Sequence, residues 1–491
     1  MTLNVFELGR ERPDTLAAIS DQATLTYGEL AARCERVRRS FSSRGFLEPG
    51  RTLALVARRS LKSLESLLVC MAEGVPVVCF GERVPASERA ELAARAGALF
   101  VVTPDAEAHE HVRAEPSGHG VEQTRADVPS LDDLDPRRPL AIVPTSGTTG
   151  RSKLVVLSRA AFTASARASA ANLPLSERDR WLLCLPLSHV GGLSIVTRSL
   201  LAGSAIALFE PAPGGLLADL GGLARALERS QATLVSLVPT LLDALLERDD
   251  FRPPESLRAV LLGGAGASPE LIARAAARGL RVLTTYGLTE ACSQVTTTPF
   301  GTIPPTRGGI VSAGRALSGV ELRIGGDERI QVRGPTLATS LLDEPLPLTA
   351  DGWLVTDDLG RLDEQGELYV QGRASDRIVT GGENVDPLPV EACLARDPSV
   401  AAACVFGVPD TRFGELVACA LVLGPGFDAE RVQSRLAREL APAARPRRVA
   451  VLAELPLTAS GKLHRARTRA LATPALTSWA DLPLRAEETP I

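Results

Sequence analysis

Between residues 139 and 290 short apolar runs alternate with segments of helical periodicity, and this alternation constrains the fold more than any other feature. "SAIALF", "ATLVSLV", "LRAVLLGG" and "LRVLTTYG" have strand length and end in Gly, Pro or Thr, whereas "AAFTASARASAANL" and "GGLSIVTRSLLAG" repeat apolar positions at helical spacing. Strands that are apolar on both faces are covered on both faces, so an α/β region with a largely parallel sheet is expected. Ligands of such sheets sit beyond the carboxyl ends of the strands. Three polar loops follow strands here: "VPTSGTTGRSK" (143–153), "GGAGAS" (263–268) and "TYGLTE" (285–290), and together they can form one site.

The flanking segments add further units, as expected of 491 residues, too many for one ordinary core. "SLKSLESLLVCMAEG" (60–74) reads as a helix and "VPVVCF" (75–80) as a buried strand. Residues 103–138 are polar and rich in Pro, Asp and Glu, which predicts a surface loop; His109, His111 and His119 within it read as solvated side chains rather than a metal cluster. From about 305 to 371 the period shifts to two ("VELRI", "RIQVRG", "GELYVQG"), the pattern of a small antiparallel region. Past Arg373 a compact mixture of strands and helices predicts a separate small domain. The predicted fold class is therefore α/β: a large N-terminal domain (1–373) of mainly parallel α/β subdomains with a small β subdomain, then a small α+β domain (374–491).

The net charge of −4 provides no broad basic field, so nucleic acid is not an expected partner. The N-terminal residues carry no cationic segment leading into an apolar stretch, and no run of about 18 apolar residues could span a bilayer. A soluble cytoplasmic protein without a membrane span is expected, with a homodimer left open. The eight cysteines form no C-x-x-C pair and several sit in apolar runs, which predicts buried free thiols.

The loop "VPTSGTTGRSK" offers glycine-rich backbone N–H groups, hydroxyls and Lys153, all suited to phosphate, yet it lacks the spacing of the usual triphosphate-binding loop. In "TTYGLTEACSQV", Tyr286 presents a ring for stacking, and Thr289 and Glu290 present hard oxygens for Mg²⁺. Asp357 and Asp358 are read as a turn, with Arg373 close behind, a combination able to hold a ribose. Lys462, in "LPLTASGK", reads by itself as an ordinary surface lysine.

Five segments in order, "TSGTTGRSK", "LPLSHVGG", "YGLTE", "TDDLG…GR" and "LTASGK", resemble the adenylate-forming superfamily of acyl-CoA synthetases, adenylation domains and beetle luciferases. The resemblance runs from "LTYGEL" (25–30) to Lys462 and implies ATP, Mg²⁺ and CoA as cofactors and co-substrates. It places Thr145, Ser146, Gly147, Thr148, Thr149, Gly150 and Lys153 in a phosphate loop, and Gly264 and Tyr286 at adenine. Thr289 and Glu290, with Thr145, would hold phosphate and metal; Asp358 and Arg373 would hold ribose. Lys462, on a mobile C-terminal domain, would drive adenylation, and Ser375 stands in the hinge slot, where Asp or Lys is common. Asp357 replaces the glycine of the usual Thr-Gly-Asp, and Leu154 the glycine that usually follows the loop lysine.

Within that superfamily, "LPLSHVGGLSIVTRSLLAG", "TYGLTEACSQV" and "SDRIVTGGENVDPLPVE" look most like the o-succinylbenzoate–CoA ligases of menaquinone biosynthesis. Ser293 and Gln294 fit that group, and His189 lies where members line or gate the acyl pocket. Arg198, nine residues after His189, is either an arginine on a surface helix or the partner of a second substrate carboxylate. Other aryl- or acyl-CoA ligases, and a stand-alone enzyme loading a carrier protein, are the alternatives.

Overall fold

The computed structural model describes residues 2–48, 50–106, 108–111, 135–145, 152–457 and 463–482. They divide into two compact units: Met1–Pro305 with Ala313–Leu322 and Val332–Val355, and Thr306–Ser312 with Arg323–Gln331 and Thr356–Ile491.

The first unit holds two sheets. A nine-stranded sheet has the order Arg315–Ala316, Ser293–Thr297, Val282–Leu288, Ala259–Gly263, Leu234–Leu237, Arg180–Leu183, Ala205–Leu208, Leu16–Ile19, Thr24–Thr26. Its six central strands run parallel, and antiparallel pairs close both edges. The seven-stranded sheet has the order Ser340–Leu341, Lys153–Ser158, Pro139–Thr145, Val77–Phe80, Thr52–Val56, Ala98–Thr103, Ala108–His111, again with a parallel centre. Apolar strand residues from both sheets, among them Leu53, Leu55, Trp181, Leu183 and Leu261, share one core.

Two helices of this unit are buried almost all round. Leu61–Glu73, capped by Ser60, buries Leu61 and every residue from Ser63 to Ala72, and Val190–Ala202 buries every residue from Gly192 to Leu201. A helix without a polar face belongs to the interior. Each ends on a left-handed glycine, Gly74 and Gly203, where an L side chain would be strained.

The structure departs from the sequence expectation at three places. Residues 103–138 are not wholly a loop: Ala108–His111 pairs antiparallel with Ala98–Thr103, and the His109 ring packs edge-on to Phe46 at 5.3 Å. An edge strand is held by backbone hydrogen bonds and needs no apolar run, so a polar sequence hides it. His119 lies outside the described residues. Tyr286 is not in a loop but within the strand Val282–Leu288, and Asp357 and Asp358 are not in a turn but within the strand Leu354–Leu362. In both, an antiparallel partner supplies the hydrogen bonds.

A sheet of order Glu321–Ile324, Arg329–Arg333, Leu354–Leu362, Leu368–Arg373 forms the small β region. The C-terminal part is a five-stranded sheet whose long hairpin, Val400–Asp410 against Gly414–Leu423, packs against the helices Pro387–Ala395 and Ala429–Glu439. Asp397, fully buried, accepts from Arg431 Nε and Nη2 at 2.9 Å and from the Ser399 hydroxyl at 2.7 Å. Arg431 first, then Ser399, holds the Asp397 carboxyl well below the usual carboxylate range. A depressed folded value means stability that is full above the unfolded pKa of about 3.9 and lost as pH falls towards the folded one. Asp397→Asn is expected to cost roughly 2–3 kcal/mol at pH 7, and the deficit should shrink below about pH 4 in thermal melts. A pH-independent deficit would assign the loss to packing instead.

All eight cysteines are buried and free, as their apolar settings predict. Among the described residues no helix is long and apolar enough to cross a membrane.

Candidate active site

The site residues of the first unit lie at ends of strands in both sheets. Thr145 ends Pro139–Thr145 and Lys153 opens Lys153–Ser158, and the two are cross-strand partners. The loop between them therefore starts and ends on one rung; its members Ser146, Gly147, Thr148, Thr149 and Gly150 lie outside the described residues. Lys153 Nζ makes a 2.5 Å ion pair with Glu344. Arg95 bonds the Ser152 carbonyl at 2.8 Å and pairs with Asp343, so two successive acidic residues meet the base of this loop. Neither acid stood out in the sequence, because nothing local marks partners 191 and 248 residues away.

In the nine-stranded sheet, Gly263 is the register partner of Thr285, and a Cβ on it would approach Thr285 Cγ2 to 2.6 Å. Gly264 follows in a left-handed conformation (φ 85°) that favours glycine. Tyr286 is largely buried, and Thr289 and Glu290 form a short 3-10 turn beyond it. Next come two non-glycine residues of positive φ, Cys292 (52°) and Ser293 (88°). Such backbone persists only where its surroundings fix it. Here the buried Ser165 hydroxyl donates to the Cys292 carbonyl at 2.7 Å, and Gly287 lies so close that a Cβ would sit 1.7 Å from the Ser293 carbonyl oxygen. Ser165 is a contributor that the sequence did not disclose.

The alternative of Arg198 as a surface residue is excluded: it is only 3% exposed, inside the helix that His189 precedes as N-cap. Its Nη2 donates to the Ser293 hydroxyl at 3.4 Å, its guanidinium lies 5.5 Å from the Trp181 ring centroid, and its Nε has no hydrogen-bond partner among the described residues. No carboxylate among the described residues pairs with it. Burial pushes its pKa down to about 10, so it is still charged at neutral pH. Gln294, also buried, donates to the Thr297 hydroxyl at 2.8 Å, and its Oε1 has no partner among the described residues. The structure thus brings Arg198 and Ser293 together and sets Gln294 next in the chain.

In the second unit Asp358 and Arg373 are cross-strand partners, Nε to Oδ1 3.1 Å, and Ser375 bonds Asp357. Lys462 lies outside the described residues.

Residues 5–339 match the family model described as AMP-binding enzyme, and 389–462 match its C-terminal domain. The chain belongs to the AMP-binding enzyme family. Among relatives in this family, the 2-succinylbenzoate–CoA ligase of Bacillus subtilis (strain 168) is 31% identical over 470 residues, covering 92% of this chain and 94% of that one. The solved o-succinylbenzoate CoA synthetase of Bacillus subtilis in complex with its acyl-adenylate intermediate superposes with a TM-score of 0.80 at 29% identity, over 94% of this chain and 97% of that one. The complex of that enzyme with ATP and magnesium gives 0.80 at 29% identity, over 95% and 98%. The α/β fold with a large N-terminal and a small C-terminal part is that of these adenylate-forming enzymes.

Proposed function

We propose that the chain is an ATP-dependent, AMP-forming acid–CoA ligase that converts 2-succinylbenzoate to 2-succinylbenzoyl-CoA in menaquinone biosynthesis. The choice of acid is carried by Arg198, a buried cation whose Nη2 meets the Ser293 hydroxyl and whose Nε has no hydrogen-bond partner among the described residues. An unpaired charge costs free energy in the interior, and an anionic ligand offsets that cost. 2-Succinylbenzoate keeps one carboxylate for this purpose while the other reacts; benzoates and fatty acids have none to spare.

The remaining roles are those the family resemblance implies, and the chemistry of the reaction explains why they are needed. A carboxylate is a poor electrophile, so its oxygen first bonds to the α-phosphorus of ATP as the bond to pyrophosphate breaks. The CoA thiolate then attacks the acyl carbonyl and AMP departs. Thr145, Ser146, Gly147, Thr148, Thr149, Gly150 and Lys153 hold the leaving phosphates, Gly264 and Tyr286 the adenine, and Asp358 with Arg373 the ribose. His189 and Gln294 line the acyl pocket. Thr145, Thr289 and Glu290 offer hard oxygens, a donor set that suits Mg²⁺, which would offset charge where two anions meet. Lys462 stabilises the charge developing between carboxylate and α-phosphate. The domain 374–491 turns about Ser375 between the two half-reactions, removing the lysine once adenylation is complete.

Glu344 competes with phosphate for Lys153 in this reading. An exposed ion pair contributes up to about 1 kcal/mol, so Glu344→Gln should lower the apparent KM for ATP by up to about fivefold. A raised KM would mean that Glu344 orients the lysine productively.

The proposal is tested with purified protein, ATP, Mg²⁺, CoA and a panel of acids, following pyrophosphate release and thioester formation. Turnover of 2-succinylbenzoate well above benzoate, cinnamate and fatty acids is expected. Preference for one of those would overturn the acid assignment, and transfer only to a carrier protein would overturn the acceptor.

A further inference from the structure

Arg465 opens the helix Arg465–Ala472, three residues after Lys462, and its side chain is 17% exposed. Unlike most arginines of this chain, it joins three separate elements of the C-terminal part. Its Nη1 donates to the Val405 carbonyl at 2.5 Å, within the long hairpin, and pairs with Glu391 on the helix Pro387–Ala395. Its Nε lies 3.3 Å from Asp376 Oδ2, in the short 3-10 segment Ala374–Asp376 that contains Ser375. Glu391 in turn accepts from the Val405 N–H at 2.7 Å, so the acid and the arginine hold the two backbone polar groups of one residue.

The chain ahead of Arg465 is fixed just as tightly. Leu463 forms an antiparallel bridge with Leu457, and the His464 N–H bonds the Pro456 carbonyl at 2.9 Å. Leu457 and Leu463, the described residues on either side of 458–462, therefore share one paired rung. The Arg465 contacts set where that rung stands relative to the segment 374–376. An ordinary core would satisfy these positions with apolar side chains; a fork-shaped cation with a carboxylate on each side fixes direction as well as depth.

We infer that Arg465 is a positioning residue for adenylation: through Asp376 and Glu391 it holds the base of the Lys462 loop in register with the 374–376 segment, so that turning at Ser375 carries the lysine as part of one rigid body. The inference rests on the roles proposed above for Lys462 and Ser375. It adds that the lysine's placement is set by a side chain that touches no substrate.

The test uses the full chain with Arg465→Gln, Arg465→Lys, Asp376→Asn and the double variant Lys462→Ala/Arg465→Gln. Adenylation is read as pyrophosphate release with 2-succinylbenzoate, and the second half-reaction as thioester formation from preformed acyl-adenylate. Misplacement of a reacting group by about 1 Å can cost on the order of a hundredfold, so Arg465→Gln should lower adenylation kcat by about ten- to a hundredfold. Thioester formation and the KM for ATP should be unchanged, and Arg465→Lys should recover part of the loss. Asp376→Asn, which spares the buried contacts to Glu391 and Val405, should show the same selective loss in milder form, and serves if Arg465→Gln folds poorly. In the Lys462→Ala background Arg465→Gln should add nothing, because residues acting as a unit are not additive.

Parallel loss of both half-reactions by Asp376→Asn and Arg465→Lys, tracking a fall in melting temperature, would overturn the inference in favour of plain stabilisation. Additive loss in the double variant would overturn it as well. If Lys462→Ala itself leaves adenylation intact, the assignment of the lysine fails and the inference falls with it; a damaging Lys462→Ala beside a silent Arg465→Gln removes the positioning role alone.

Discussion

Lys462→Ala is expected to lower acyl-adenylate formation by about a hundred- to a thousandfold while leaving thioester formation from preformed adenylate at its original rate. The first figure is the usual consequence of removing one preorganised group from the place where transition-state charge develops. The second follows from the order of events, since the turn of the C-terminal domain removes the lysine once adenylation is complete. Single-turnover measurement of pyrophosphate release, beside a CoA-acceptor assay started from synthetic acyl-adenylate, separates the two steps. Equal losses in both would show that the lysine serves the fold or both half-reactions, and the two-orientation account would be abandoned. Full adenylation would remove Lys462 from the chemistry.

Arg198→Met should give two changes of opposite sign. Loss of a buried charge partner costs roughly 2–4 kcal/mol, about thirty- to a thousandfold in kcat/KM for 2-succinylbenzoate. The ratio of 2-succinylbenzoate to benzoate turnover should collapse, because benzoate makes no use of the arginine. The ligand-free protein should meanwhile become more stable, by about 1–2 kcal/mol, since an apolar side chain of similar length replaces a cation held at a desolvation cost. The sign is fixed by the direction of the pKa: burial lowers it to about 10, so the cost is fully present at neutral pH and relieved only above that value. Thermal melts of the ligand-free protein read this term directly. A lower melting temperature would mean that contact with Trp181 and Ser293 outweighs desolvation, and an unchanged acid preference would place the second carboxylate elsewhere. Loss of function with gain of stability is the expected mark of a binding group strained by its setting.

Much of the architecture was legible because burial writes itself into periodicity. The runs at 205–208, 234–237 and 259–263 are mostly apolar on both faces, and they are covered parallel strands of one sheet. "LTYGEL" carried its own punctuation as well: Thr26 and Glu29 form a capping box at the start of the helix Tyr27–Ser43. The edge strand Ala108–His111 escaped, since pairing on one side requires no apolar alternation, and the paired aspartates Asp357 and Asp358 hid the interior strand Leu354–Leu362 behind a turn-like sequence. The division of the strands between two sheets was equally silent. Pro139–Thr145 lies beside Val77–Phe80, about sixty residues earlier, and local pattern holds no information about a neighbour so distant.

The candidate site divides in the same way. By itself the sequence determined which chemical groups are present and in what order, because hydroxyls, glycines, carboxylates and lysines are needed for phosphate whatever surrounds them. Tertiary structure alone decided what those groups experience. Arg198 has the same side chain on an exposed helix or a buried one, but only burial turns it from a solvated charge into one that requires an anion. Ser165 beneath the left-handed turn, Glu344 on Lys153, and Arg465 between Asp376 and Glu391 are likewise pairings across 74 to 191 residues of chain. The physical reason is that periodicity records how often a face is buried, whereas electrostatics depends on which distant group is buried against it.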